Sequence, residues 1–219
     1  MEFPDLSPYE FLWAPIPMRS IGWLGCERGI QGGPLRPMSD VDLQRVLNAS
    51  TRLVSVTLGY HDCEFCSGES VFRGNGEYHY YLNSGEAYSA PALILHYIME
   101  HNYRPPEEFL EGLRVNSELV WDARAERLCE VLADELQDFE LRCQAISELP
   151  HWRDRRAFDA LLHAIRDEEL DDVLGEELGR ALASFMDCEF AADSKPSDLP
   201  QVVRFGMCLK DPDGIIRSS

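Results

Sequence analysis

The chain has 219 residues, 45% of them hydrophobic, and a formal charge of −19 at pH 7. That acidity argues against phosphate backbones and anionic bilayers as partners, and no apolar run reaches the ~18 residues needed to span a membrane. The seven cysteines are scattered and no secretory signal precedes them, so the expectation is a cytoplasmic protein without a disulfide framework.

"FPDLSPYEFLWAP" opens the chain with aromatic anchors for an irregular segment. "RSIGWLG" (19–25) reads as a short strand or buried turn, and "ERGIQGGPLRPMS" as loop. "SDVDLQRVLNAST" reads as a helix capped by Ser39, with Asp42 three residues on and Val41, Val46 and Leu47 as its apolar stripe. "RLVSVTLGYH" (52–61) is the clearest predicted strand. Asn75-Gly76 and Ser84-Gly85 read as turns around the strand-like "EYHYYL". "SAPALILHYIMEHNY" reads as a helix capped by Ser89, with Pro91 in its first turn and Leu93, Ile94, Tyr97, Ile98 and His101 on one face. Pro105-Pro106 ends it and opens the short helix "PPEEFLEGL".

Near residue 115 the composition shifts from Gly, Pro and aromatics to charged-apolar alternation of helical period. Asn116 or Ser117 can cap the next helix. The expectation is a small α+β domain over 1–114 with short antiparallel strands and a Cys-x-x-Cys turn. An all-α, HEAT-like helical repeat region follows over 115–219. Its predicted helices are "SELVWDARAERLCEVLADELQ", "FELRCQAISELPHW", "DRRAFDALLHAIRDEEL" and "DDVLGEELGRALASFM", after which "DLPQVVRFGMCLKDPDGIIRSS" starts a further unit. "HAIRDEELDDV" resembles "MCLKDPDGII" at an offset of about 44 residues, within the range of two-helix repeats. The last unit stops at "GIIRSS", where its second helix should begin. Cys129, Cys143, Cys188 and Cys208 lie in helix-like patterns and read as buried small hydrophobes.

The chemistry concentrates in "GYHDCEFCSG" (59–68), where His61, Cys63 and Cys66 form His-x-Cys-x-x-Cys. Two thiolates at this spacing can approach one tetrahedral ion from a tight turn. A structural zinc ion would need a fourth donor. His101 is placed inward by its helical face, His96 lies off that face, and Cys26 and His79 are further candidates. A metal-free buried turn and a redox pair are the alternatives. Asp62 and Glu64 disfavour the redox pair, because neighbouring carboxylates raise a thiol pKa. No His-Glu-x-x-His, Gly-x-Ser-x-Gly or phosphate-loop frame occurs, so no catalytic residue is assigned.

The blocks "FPDLSPYEF", "IGWLG", "GYHDCEFC", "GNGEY", "YSAPALILHYI" and "HNYRPPEEFLE" together resemble a family of uncharacterised bacterial proteins over residues 1–113. The resemblance implies one folding unit there and makes His61, Cys63 and Cys66 a recurring feature of it. Cys26 is outside that pattern.

Size, acidity and the lack of a catalytic frame point to a non-enzymatic protein-binding protein, in its sharpest form an immunity or antitoxin-type inhibitor of a bacterial toxin. Acidic inhibitors gain fast association with basic partners through long-range attraction. The densest acidic run holds Asp167, Glu168, Glu169, Asp171, Asp172, Glu176 and Glu177, the candidate surface for a cationic toxin domain. A scaffold or adaptor, or a metal-dependent enzyme using the His-x-Cys-x-x-Cys turn, are the other readings.

Overall fold

The computed structural model describes residues 2–27, 29–30, 38–56, 59–67, 71–115, 118–192, 194–209 and, through their backbone, 215–217. Two compact units share the chain. The first comprises residues 1–12, 17–117 and 212–219, the second residues 13–16 and 118–211.

Two small sheets organise the first unit. One is built from β1 (Arg19–Ser20), β2 (Leu53–Val54), β5 (Glu77–Tyr81) and β6 (Ala87–Pro91), in the order β1-β6-β5-β2. β1 runs parallel to β6, and the other pairs are antiparallel. The other sheet contains β3 (His61–Asp62), β4 (Phe72–Gly74) and β7 (Ile215–Arg217), all antiparallel in the order β3-β4-β7. With them go the helices α1 (Asp40–Ala49), α2 (Ile94–His101) and α3 (Glu107–Arg114). Ile21, Tyr80, Tyr88, Tyr97 and Phe109 form the centre of the core. This is an α+β unit followed by helices.

Several local expectations change for physical reasons. The predicted strand over 52–61 is cut after Val54, because Ser55 adopts a positive φ of 52°; residues 57 and 58 lie outside the described set. Asn75-Gly76 does not close a hairpin. With Gly76 at φ 91°, it hands the chain from β4 in one sheet to β5 in the other. A Cβ on Gly76 would sit 2.8 Å from the Val54 carbonyl oxygen, so the crossing needs glycine twice over. Ser84-Gly85 does close the β5–β6 hairpin, with Leu82 N–H donating to Glu86 O at 2.9 Å. Ser89 caps no helix. It sits in β6, fully buried between two strands, and its hydroxyl donates to Glu77.

Ser39 does cap α1, accepting from Asp42 N–H at 3.1 Å. The helix nevertheless turns Asp42 inward and leaves Val41 60% exposed. Arg114 explains this. Its guanidinium forks onto both Asp42 oxygens at 2.9 and 2.8 Å, while Ser39 and Arg45 also donate. The Arg114 bonds hold the Asp42 carboxyl well below the usual carboxylate range, against the opposing effect of burial. A carboxyl lowered on folding stabilises above its unfolded value, near pH 4, and that stability drains away as pH falls below it. Asp42→Asn is therefore expected to lower the urea midpoint at pH 7 by the equivalent of about 1–3 kcal/mol. It should also flatten the loss of stability between about pH 4 and 2. Parallel stability–pH curves for the two proteins would contradict this.

The second unit is helical: α4 (Ala123–Ala133), α5 (Phe139–Glu148), α6 (Arg155–Ala164), α7 (Glu168–Ala183) and α8 (Gln201–Met207). α4 packs on α5 and α6, α5 and α6 both pack on α7, and α7 packs on α8. Leu128, Ile146, Leu161, Leu178 and Phe185 are fully buried between them. Aspartates start four of these helices: Asp122, Asp138, Asp154 and Asp167 each accept backbone N–H bonds. α4 thus begins at the Asp122 cap, and the proposed caps Asn116 and Ser117 lie outside the described residues. α7 starts three residues earlier than Asp171 and kinks at Leu174, just before Gly175. Cys129 and Cys143 are partly buried, and burial pushes their thiols up to about 11. Cys208, expected inside, is exposed. At the point where a second helix was expected to begin, Ile215–Arg217 instead form β7 and pair with β4 in the first unit, while residues 214, 218 and 219 lie outside the described set. Among the described residues no helix is long and apolar enough to cross a membrane.

Candidate metal centre

β3 ends at Asp62, and the chain turns through Cys63-Glu64-Phe65-Cys66 before β4 returns beside it. Cys63 N–H donates to Phe72 O at 2.8 Å, which pins the start of the turn to β4. The backbone N–H groups of Phe65 and Cys66 point at the Cys63 sulfur. Donors aimed at sulfur favour a thiolate. Burial opposes them and is the larger effect, so without an ion the Cys63 thiol is pushed up.

α2 supplies the other half. Its helix buries Ile94, His96, Tyr97 and Ile98, so it is enclosed on more than one face. His96, near its start, and His101, its last residue, both aim Nε2 at the cysteine turn. Asn102, in the left-handed conformation, ends the helix directly after His101. Phe72 stacks on the His96 ring at 4.1 Å, and Phe65 packs against His101 at 5.7 Å and Tyr97 at 5.9 Å. These ring contacts hold the two imidazoles in place beside the turn.

Cys63 Sγ, Cys66 Sγ, His96 Nε2 and His101 Nε2 lie within 4.8 Å of one another. The Cys63–His101 and Cys66–His96 separations are both 3.3 Å, Cys66–His101 is 3.6 Å, and the two Nε2 atoms are 3.1 Å apart. A tetrahedral zinc ion has Zn–S near 2.3 Å and Zn–N near 2.0–2.1 Å, which requires S···N edges of about 3.5 Å and an N···N edge of about 3.3 Å. These four separations thus already lie near the edges that zinc requires, and the other two, Cys63–Cys66 and Cys63–His96, are no longer than 4.8 Å. Burial, and for His96 the neighbouring His101, lowers both imidazole pKa values, which favours the neutral ligand form. His96 Nδ1 is buried without a hydrogen-bond partner.

Of the sequence candidates, the fold brings Cys63, Cys66 and His101 together, and it adds His96 where His61 was expected. His61 lies on β3 beside Gly74 and lines a separate cavity. His79 pairs with Glu77. Cys26 is exposed, and its backbone N–H anchors Glu64 at 2.6 Å. This turns the Glu64 carboxylate, suspected of repelling a thiolate, toward Cys26. A single apolar stripe places His96 off the inward face, but α2 is buried more widely than one stripe and takes His96 in. The usable signal was a histidine inside the apolar run "ALILHYI", where a polar group needs a partner.

The acidic run is partly structural. Asp167 caps α7 and pairs with the buried Arg142 at 2.5 Å, and Glu176 and Glu177 approach Arg180 at 3.9 and 3.3 Å. Asp171 is half-buried, and Glu168, Glu169 and Asp172 are exposed.

Fold and site together define a small α+β module with a Cys2His2 donor set, continued by a helical unit. The chain belongs to the family described as Domain of unknown function (DUF7919), whose model matches residues 1–114 and so includes all four donors. No curated protein and no solved structure matches the chain.

Proposed function

We propose that this chain is a non-enzymatic protein-binding protein whose N-terminal module is held together by a structural zinc ion. The observation that carries the metal part is the four-donor set of Cys63, Cys66, His96 and His101. Four protein donors fill a tetrahedral ion, as in structural sites, whereas catalytic zinc keeps a position open. This favours the binding reading over a metal-dependent enzyme.

The helical unit supplies the docking region in this reading. The packing of α4 on α6 and of α5 on α7 is the arrangement expected for stacked HEAT-type helix pairs. The partner is a cationic protein, and the reading extends to an immunity or antitoxin-type inhibitor of a toxin domain. Glu168, Glu169 and Asp172 are its free charges on α7, since Asp167 is committed to Arg142. The test is a pull-down with the full chain at low and high salt, read by mass spectrometry and repeated with Glu168, Glu169 and Asp172 all changed to glutamine. The expected result is a basic partner that is lost at high salt and weakened by the triple variant. Salt-independent capture, or equal capture by the variant, would refute the electrostatic docking.

A further inference from the structure

The first unit contains a second site, separate from the cysteine turn. A cavity of about 200 Å³ is lined by Phe11, Trp23, Tyr60 and His61, with Pro91 and Glu77 among its other walls. It has the volume of roughly seven waters, enough for a small head group and too little for a nucleotide.

Glu77 is only 2% exposed. It neighbours Pro91 across the β5–β6 ladder, so both belong to the sheet face that carries the cavity. Its carboxylate is held in place rather than neutralised by a lysine or arginine. Tyr9 donates to both oxygens at 2.7 Å, Ser89 donates to Oε2 at 2.8 Å, and His79 Nε2 lies 3.1 Å from Oε2. Burial and the adjacent Glu77 raise the Tyr9 pKa, which keeps that hydroxyl a donor. Among the described residues Oε1 receives only Tyr9, which leaves it acceptor capacity to spare. Trp23 is itself fixed, its indole N–H donating to Ser89 O at 3.1 Å and its ring packing on Phe11 at 5.9 Å. Ser55, one of the described non-glycine residues with positive φ, also lines the cavity. Backbone strain of this kind clusters at ligand sites.

A fixed carboxylate in a cavity lined by aromatic side chains is the chemistry that selects an organic cation. The rings attract positive charge through their quadrupoles, and the carboxylate accepts N–H bonds. We propose that this cavity binds a guanidinium or alkylammonium head group, with Glu77 as its counter-charge and Trp23, Phe11 and Tyr60 as its walls. The head group could belong to a free amine or to a basic side chain of a peptide. The site uses none of the four metal donors.

The experiment is a calorimetric titration of the full chain with n-butylguanidinium, n-butylammonium and glycyl-arginyl-glycine, with neutral n-butylurea as the control. Each is run on wild type, Glu77→Gln and Tyr60→Ala. At least one cationic probe should bind and the urea should not. Glu77→Gln should weaken the cation by about tenfold or more, the usual effect of losing a charged hydrogen-bond partner. Tyr60 is exposed, so Tyr60→Ala should weaken binding several-fold while leaving the melting temperature unchanged. It keeps the test decisive if Glu77→Gln does not fold. Binding of the tripeptide alone assigns a peptide side chain, and binding of the free amines alone assigns a small molecule. Zinc content should be unaffected in both variants, which separates this site from the metal centre. No binding of any cation, equal binding of the urea, or wild-type affinity in Tyr60→Ala overturns the proposal.

Discussion

Replacing Cys63 with serine is expected to remove zinc from the protein and to destabilise the first unit. A hydroxyl binds zinc far less well than a thiolate, and three remaining donors leave the ion poorly held. The turn at 63–66 meets α2 through the donor set, the Phe65 ring contacts and the packing of Cys63 in the core that holds Ile94 and Tyr97, so losing the ion leaves only apolar contacts there. Loss of a structural metal ranks among the largest single-residue effects, so a cost above about 4 kcal/mol is expected. Chelator should produce the same loss in wild type and little further change in Cys63→Ser. The pair His96→Gln and His61→Ala makes the result specific. His96→Gln should lose the metal, and His61→Ala should keep it, because His61 faces the other cavity. Elemental analysis and thermal unfolding of the four proteins check this. Retention of metal in His96→Gln together with its loss in His61→Ala would assign the centre to the wrong histidine.

Adding a single methyl group at Gly179 is expected to destabilise the helical unit. In an exposed helix Gly→Ala stabilises by about 1 kcal/mol, so the sign of the effect is diagnostic. α7 and α8 meet through glycine on both sides. A Cβ at Gly179 would collide with the Val203 carbonyl oxygen and come within 2.8 Å of Gly206 Cα and of Met207 N. A Cβ at Gly206 would strike the Glu176 carbonyl in turn. These obstacles are backbone atoms, which cannot step aside as a side-chain tip can. The helices must separate, at a cost of about 1–3 kcal/mol. Gly179→Ala and Gly206→Ala should each lower the denaturation midpoint. The double variant should cost less than the sum, because the first substitution already opens the same contact. An unchanged or raised midpoint for Gly179→Ala would contradict the close packing of α7 on α8.

What could be read in the sequence was mainly what short-range rules govern. The Ser39 cap, the Ser84-Gly85 hairpin and the helical character after residue 115 depend on neighbours a few positions away, and those features are present. The failures share a long-range cause. "AYSAP" resembled a helix start because Ser and Pro suit a first turn, but β6 pairs on both sides and the ladder prevails over the cap. Val41 looked inward until Arg114, 72 residues after Asp42, drew the carboxylate in instead. β7 could not be inferred from "IIR", since its partner β4 lies far upstream. At the candidate centre the cysteine spacing was legible because one turn determines it. The histidine choice was not, because it depended on how many faces of α2 the rest of the unit covers. The acidic run shows a similar limit: Asp167 looked like free charge, yet it is the cap of α7 and the partner of Arg142.

X-ray absorption at the zinc edge, on protein purified without chelator, bears most directly on the four-donor centre. The expected spectrum has one zinc per chain with two sulfurs near 2.3 Å and two imidazole nitrogens at about 2.0–2.1 Å, and no bound water. A protein without stoichiometric zinc, or a shell with oxygen in place of one of these donors, would contradict the closed structural site built from Cys63, Cys66, His96 and His101.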